Sequence, residues 1–248
     1  MKKLLFLSVP LIIAASIEGS FGQAFTGTYD FSALTTTSGQ TDPTTPPSAT
    51  GVTFGSFTSA GLSPNPNANS RFSYTTNALG GVNASDNFAL FTGSLNPSKY
   101  FEVTLSPGAG INLDLDTIAF TIQRSGTGIR SYAVRSSLDS FGANLSASIS
   151  PANGALGVGP GDEFRYLLDA NTTLQNGSLV TLGTAFDALT APVTFRFYGW
   201  NAELEPGTFS IDNVNFGGTT TVVPEPSTMA FTILGVGLLG MTKFRRKS

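Results

Sequence analysis

The chain carries sixteen carboxylates and neither histidine nor cysteine, and this sets its chemical limits. Without imidazole or thiol there can be no Ser-His-Asp or Cys-His nucleophilic relay and no ordinary zinc or copper centre. Most hydrolases and redox enzymes are thereby excluded. What remains is chemistry that carboxylates perform in pairs, as in glycoside hydrolysis. Two pairs invite that reading, Asp114 with Asp116 and Asp162 with Glu163. Residues two apart on a strand share a face at about 6 to 7 Å, a separation that such chemistry can use. Against it, Asp114 and Asp116 alternate with leucines, as a solvated strand face does, and Asp162-Glu163 follows a Gly-Pro-Gly turn where charges are commonplace. The expectation is a protein that is not an enzyme and has no catalytic residues.

Binding chemistry is less restricted. Calcium takes carboxylate and carbonyl oxygens and needs neither histidine nor cysteine, so it is the one cofactor left open. No EF-hand loop or glycine-aspartate repeat is present. Sugar rings stack on planar aromatic faces, and the polar-edged aromatics are Tyr132, Tyr166, Tyr198 and Trp200. Tyr198 and Trp200 fall on one face of a strand of unbroken period and are the candidate glycan contacts. Phe195 and Phe197 lie on the same strand, which favours core packing for Trp200. Between residues 23 and 223 there are seven basic and fourteen acidic side chains, a net charge of −7. With no basic stripe, nucleic acid is not an expected partner.

These residues need elements to hold them, and composition favours strands. Charged residues make up only 12% of the chain, Gly, Ser, Thr and Asn abound, and there are 20 phenylalanines. Strand patterns occur at 24–31, 52–57, 88–91, 100–105, 113–124, 131–136, 163–168, 193–200 and 208–216. In 113–124 (LDLDTIAFTIQR) the apolar positions change phase near Thr117, which predicts a bulge. The polar, proline-containing stretches 35–50 and 63–70 read as exposed loops. One domain, residues 25–216, is expected to fold as an antiparallel β-sandwich of jelly-roll type, followed by a linker at 217–223 (GGTTTVV).

Both ends of the chain look like addresses. Residues 1–24 have the layout of a signal peptide: Lys2 and Lys3, an apolar core, then small residues, with cleavage after Gly22 or, the favoured site, after Ala24. A signal peptidase is the processing enzyme this implies. Residues 224–248 contain Pro224, Glu225 and Pro226, an apolar run at 229–242, and a basic end at 243–248 with Lys243, Arg245, Arg246 and Lys247. As a helix, a run of that length spans roughly 21 Å against a ~30 Å hydrocarbon core, a short transmembrane helix. Its basic flank places the C-terminus in the cytoplasm and the body of the chain outside.

The order V-P-E-P-S-T, a Gly- and Leu-rich apolar segment, then F-R-R-K at the terminus is similar to the PEP-CTERM sorting signal of bacterial exported proteins. That resemblance implies recognition, and cutting near the Pro-Glu-Pro, by an exosortase-type membrane protease. It implies a membrane-tethered precursor that ends at the cell surface or in extracellular matrix, with polysaccharide as a possible partner. Residues 128–141 and 208–216 also resemble the ectodomains of such proteins, which are similar to the jelly rolls of carbohydrate-binding modules. In those folds an aspartate on the last strand helps hold calcium, and the resemblance makes Asp212 a calcium candidate. The alternative, favoured by the residues alone, is that Asp212 caps a turn or bonds to the backbone of a neighbouring strand.

Overall fold

The alternation of apolar and polar residues does build strands, and the computed structural model, which describes residues 22–65 and 70–223, contains no α-helix among them. The strands in chain order are β1 (Gln23–Tyr29), β2 (Ser48–Ala49), β3 (Val52–Phe54), β4 (Thr58–Ala60), β5 (Ser63–Pro64), β6 (Phe72–Thr75), β7 (Tyr100–Pro107) and β8 (Ile111–Arg124). They continue as β9 (Ser131–Ser136), β10 (Ala147–Ile149), β11 (Leu156–Gly159), β12 (Glu163–Tyr166), β13 (Gln175–Thr181), β14 (Val193–Trp200) and β15 (Phe209–Val222). Two antiparallel sheets result. The first runs β10-β13-β8-β15-β6-β5, with β1 also on β15; the second runs β11-β12-β9-β14-β7-β3-β2, with β4 also on β7. From β7 to β15 the chain crosses between the sheets at nearly every step.

The two inner faces meet in a core dominated by phenylalanine. Phe57 packs against Tyr29 at 4.8 Å between ring centroids, against Phe31 at 5.3 Å, and against Phe72 and Phe197 at 5.7 Å. Further along, Phe120 meets Phe197 edge-on, and Tyr132 stacks on Phe164 at 4.9 Å. Each large ring removes roughly 150–250 Å² from water, which is how the fold is held without disulfides.

β8 shows how pattern becomes register. Leu113 and Leu115 face the core, and after a phase change Ile118, Phe120 and Ile122 do. The pairing with β15 shifts at the same place: Leu115 lies opposite Gly218 and Thr117 opposite Gly217, leaving Asp116 as the extra, exposed residue. The bulge expected near Thr117 is there.

Three expectations need correction. Residues 217–223 are not a linker, because Gly217 to Val222 form the end of β15, paired on one side with β8 and on the other, as far as Thr220, with β1. The glycines serve the bulge: a Cβ on Gly218 would sit 2.1 Å from the Asp114 carbonyl oxygen. Residues 88–91 are a 3-10 turn (Phe88–Leu90), capped by the Asn87 side chain, which accepts the Ala89 N–H at 3.0 Å. The stretch 35–50 is irregular as expected but pinned in place: Asp42 is buried, its N–H donates to Phe57 O at 2.9 Å, and Gln40 Nε2 donates to Leu62 O.

The corrected C-terminal region predicts a mutational effect that a linker would not show. Gly218→Ala should destabilise the domain by roughly 1–3 kcal/mol, since a backbone carbonyl cannot yield as a side chain would. Urea denaturation of the variant beside the parent measures it, and an unchanged midpoint would contradict the paired strand.

Candidate functional site: two opposed ends of the sandwich

The long strands give the molecule a direction. β15 finishes at Val222, and the next residue, Val223, donates its N–H to Gly110 O at 2.8 Å. β1 starts beside it, with Gln23 opposite Thr220, so the first and last described strands are zipped together at one end. Phe209, at the start of β15, lies roughly 45 Å away at about 3.3 Å per residue. The Pro224, Glu225, Pro226 motif, the apolar run 229–242, the basic residues Lys243, Arg245, Arg246 and Lys247, and residues 1–21 of the expected signal peptide lie outside the described residues. Among the described residues no helix is long and apolar enough to cross a membrane.

At the other end four connections converge on a buried ionic cluster. Arg124 closes β8, Arg130 precedes β9, Asp169 follows β12, Glu203 follows β14, and Asp86 comes from the long segment between β6 and β7. Arg124 reaches Glu203 Oε1 at 2.7 Å and Asp169 Oδ1 at 3.3 Å; Arg130 reaches the same two atoms at 3.4 and 3.2 Å and Asp86 Oδ1 at 3.2 Å. The side chains of both arginines and of Glu203 have no exposed surface. Arg130 is further held by Ser85 O at 2.7 Å and lies over the rings of Phe88 and Phe91 at 5.5 and 5.2 Å. The aromatic run that reads as a strand is thus the apolar lid of an arginine.

The protonation of this cluster follows from its charge count. Two guanidinium groups face three carboxyls, Asp86, Asp169 and Glu203, one more than they can balance. Burial, and then the neighbouring Asp169, push Glu203 up to about 7. Its Oε2 is buried without a hydrogen-bond partner among the described residues, which further disfavours the ionised form. For Asp169 burial acts upward too, but the hydrogen bond with Glu203 and the charges of Arg124 and Arg130 outweigh it and hold the carboxyl below the usual range. The cluster ties these connections together through charge-assisted hydrogen bonds.

The residues singled out in the sequence are placed elsewhere. Tyr198 and Trp200 do share a face of β14, yet they are 1% and 6% exposed. With Ala133 they form a second apolar cluster under Ala78, Leu95 and Tyr100. The chain between β6 and β7 folds over that face, anchored where Gly93 N donates to Asn201 Oδ1 at 2.9 Å, so neither ring is a sugar platform. Asp212 sits where β15 shifts register and accepts the N–H of the next residue, Asn213, at 2.7 Å, a bond within its own strand and not to a neighbouring one. Burial raises its carboxyl. Among the described residues no group of three acidic side chains gathers that could hold a metal ion.

The carboxylate pairs are engaged in local bonds. Asp114 accepts the Ala188 N–H and the Thr219 hydroxyl, while Asp116 is the exposed bulge residue. Asp162 accepts the Ala147 N–H at 3.1 Å. Glu163 accepts the Ser131 hydroxyl at 2.6 Å and Arg165 Nε at 3.0 Å.

The geometry of the described residues defines an all-β protein of two antiparallel sheets packed as a sandwich. The family model of the PEP-CTERM protein-sorting motif matches residues 222–247, beginning on the last residue of β15. No curated protein and no solved structure matches the chain. The resemblance read in the tail is therefore borne out: the chain carries a PEP-CTERM sorting motif, which supports an exported protein with an exosortase as its processing partner.

The ionic cluster sets a pH dependence. Because the folded pKa of Glu203 is raised above its unfolded value, the contribution of this group to stability is full below about 4.5 and is lost as pH rises through about 7. Asp169 works in the opposite sense, losing its contribution in acid below the ordinary carboxylate range. The thermal midpoint should be higher at pH 5 than at pH 8 by the equivalent of about 1–2 kcal/mol. Glu203→Gln should flatten that difference in calorimetric scans, and an unaltered pH profile in this variant would refute the assignment.

Proposed function

We propose that this protein is delivered to the cell surface or extracellular matrix by the sorting pathway that its tail addresses, and serves there as a structural or adhesive component. The single observation that carries the reading is the sorting-motif match at residues 222–247. In this reading the precursor is first held at the cytoplasmic membrane with its C-terminus inside, and the exosortase-type enzyme cuts near Pro224-Glu225-Pro226. The N-terminal signal is removed by signal peptidase. Cleavage after Gly22 leaves β1 whole, whereas cleavage after Ala24 would strip two residues paired with Thr219 and Thr220, so the strand supports the earlier site.

The domain is read as a jelly roll, in which two four-stranded sheets exchange the chain at successive strands. The central orders β6-β15-β8-β13 and β7-β14-β9-β12, with crossovers from β7 onward, support that topology. We infer a role without catalysis: the candidate carboxylates Asp114, Asp162 and Glu163 are engaged by neighbouring donors. Extracellular polysaccharide is the expected partner class for the matrix role. Mass spectrometry of the surface and matrix fraction provides the test. Peptides beginning at Gln23 should be found and none from Met229 onward, while an intact C-terminus on the surface protein would make the tail a permanent anchor.

A further inference from the structure

Among the described residues one basic side chain stands apart from the rest. Arg124, Arg130, Arg165 and Arg196 form ion pairs, Arg135 bonds to Asn144, and Lys99 bonds to Thr76 O. Arg71, at the entry to β6, makes no hydrogen bond or ion pair among the described residues, and its Nε is buried without a partner. The β6–β15 register, with Ile211 opposite Phe72, brings Asp212 across from it; Asp212 feels the charge but makes no ion pair.

Arg71 lines a cavity of about 300 Å³ on the outer side of the first sheet, together with Asn65, Gln123, Ser125, Thr208, Ser210 and Arg124, whose guanidinium is already paired with Asp169 and Glu203. This is the lower end of the size range for small-ligand sites. The hydrogen bonding of its wall is asymmetric. Ser125 N donates to the Thr208 hydroxyl at 2.8 Å, and Thr208 N donates to the Ser125 hydroxyl at 3.0 Å. Each hydroxyl is thus used as an acceptor, and its hydrogen remains free to donate into the cavity. Ser210 donates to Ser73 at 2.6 Å, and Gln123 Nε2 donates to Thr172 O at 2.8 Å, so these two are already committed. The wall therefore offers one unpaired guanidinium and two hydroxyl donors, a set that suits an acceptor bearing negative charge.

We propose that this cavity binds the oxyanion of an acidic sugar, a carboxylate or sulfate group, with Arg71 as charge partner and the Ser125 and Thr208 hydroxyls as donors. The sugar part of the proposal rests on the matrix reading above; the oxyanion part rests on the cavity alone. Selectivity comes from the remainder of the domain, whose net charge of −7 between residues 23 and 223 repels polyanions generally. An acidic glycan can be held only where a local cation outweighs that field, and Arg71 is such a point.

The test is ligand-observed NMR and calorimetric titration of the full chain in detergent with glucuronate, glucose and inorganic sulfate. Glucuronate should bind and glucose should not. Arg71→Gln should weaken glucuronate at least tenfold with an unchanged thermal midpoint, since Arg71 has no partner to lose, and Arg71→Lys should fall between. Glucose binding as well as glucuronate, no binding of either anion, or full binding by Arg71→Gln would overturn the site. Inorganic sulfate binding as tightly as glucuronate would overturn the sugar assignment. Surface delivery in the mass-spectrometric experiment is independent of all these outcomes, so failure of the cavity and failure of the sorting reading are told apart.

Discussion

The pairing of β8 with β15 is the constraint on which both ends of the molecule depend. Their ladder runs from Phe209 opposite Arg124 to Val222 opposite Ile111, through the middle of the first sheet. A slip of one residue would turn every core side chain of a strand outward, so the register is held by the core itself. It is also adjusted twice, between Asp212 and Asn215 and between Gly217 and Gly218. These adjustments let two fourteen-residue strands stay paired while following the curvature of the sandwich. With the ladder set, Arg124 necessarily lies at one extremity and the exit to the sorting motif at the other.

The two extremities are stabilised by different physics. At the exit the stabilisation is backbone pairing, β1 lying along β15 from Val214 to Thr220. At the far end it is charge. Burying Arg124, Arg130 and Glu203 costs desolvation, which the mutual contacts offset only because each guanidinium meets two or more acceptors. Net stability is a poor reason for such a cluster. Its geometry joins four connections through directional bonds, which a hydrophobic substitute would not supply. The charge balance is met with Glu203 protonated, so the clamp is most complete in mildly acidic surroundings.

Legibility in the sequence followed the range of the interactions. The period of two exposed β7, β8, β9 and β14, and the phase change at Thr117 exposed a bulge, because both are written in neighbouring residues. β13 (QNGSLVT) went unread: it is polar, and Gly177 has φ 105, a conformation that reads as a turn. Periodicity placed Tyr198 and Trp200 on one face correctly but could not say what covers that face, since Ala78 and Leu95 come from more than a hundred positions upstream. The ionic cluster was invisible for the same reason: Arg124 meets a partner 79 positions away. GGTTTVV has a linker's composition and becomes strand only because residues near position 25 return to pair with it.

That last misreading alters the physical picture of the tail. A flexible spacer would let a processing enzyme approach the Pro-Glu-Pro motif without regard to the domain. Here Val222 is still paired in the sheet and Val223 is bonded to Gly110, while Pro224 is the next residue. Proline carries no backbone N–H, so the ladder of β15 finds no donor at positions 224 and 226. The matched motif begins at residue 222, the last of β15, where the pairing with β8 is still in force. The described domain and the matched motif therefore meet on a paired strand, where a signal appended to a flexible linker would be separated from the sheet.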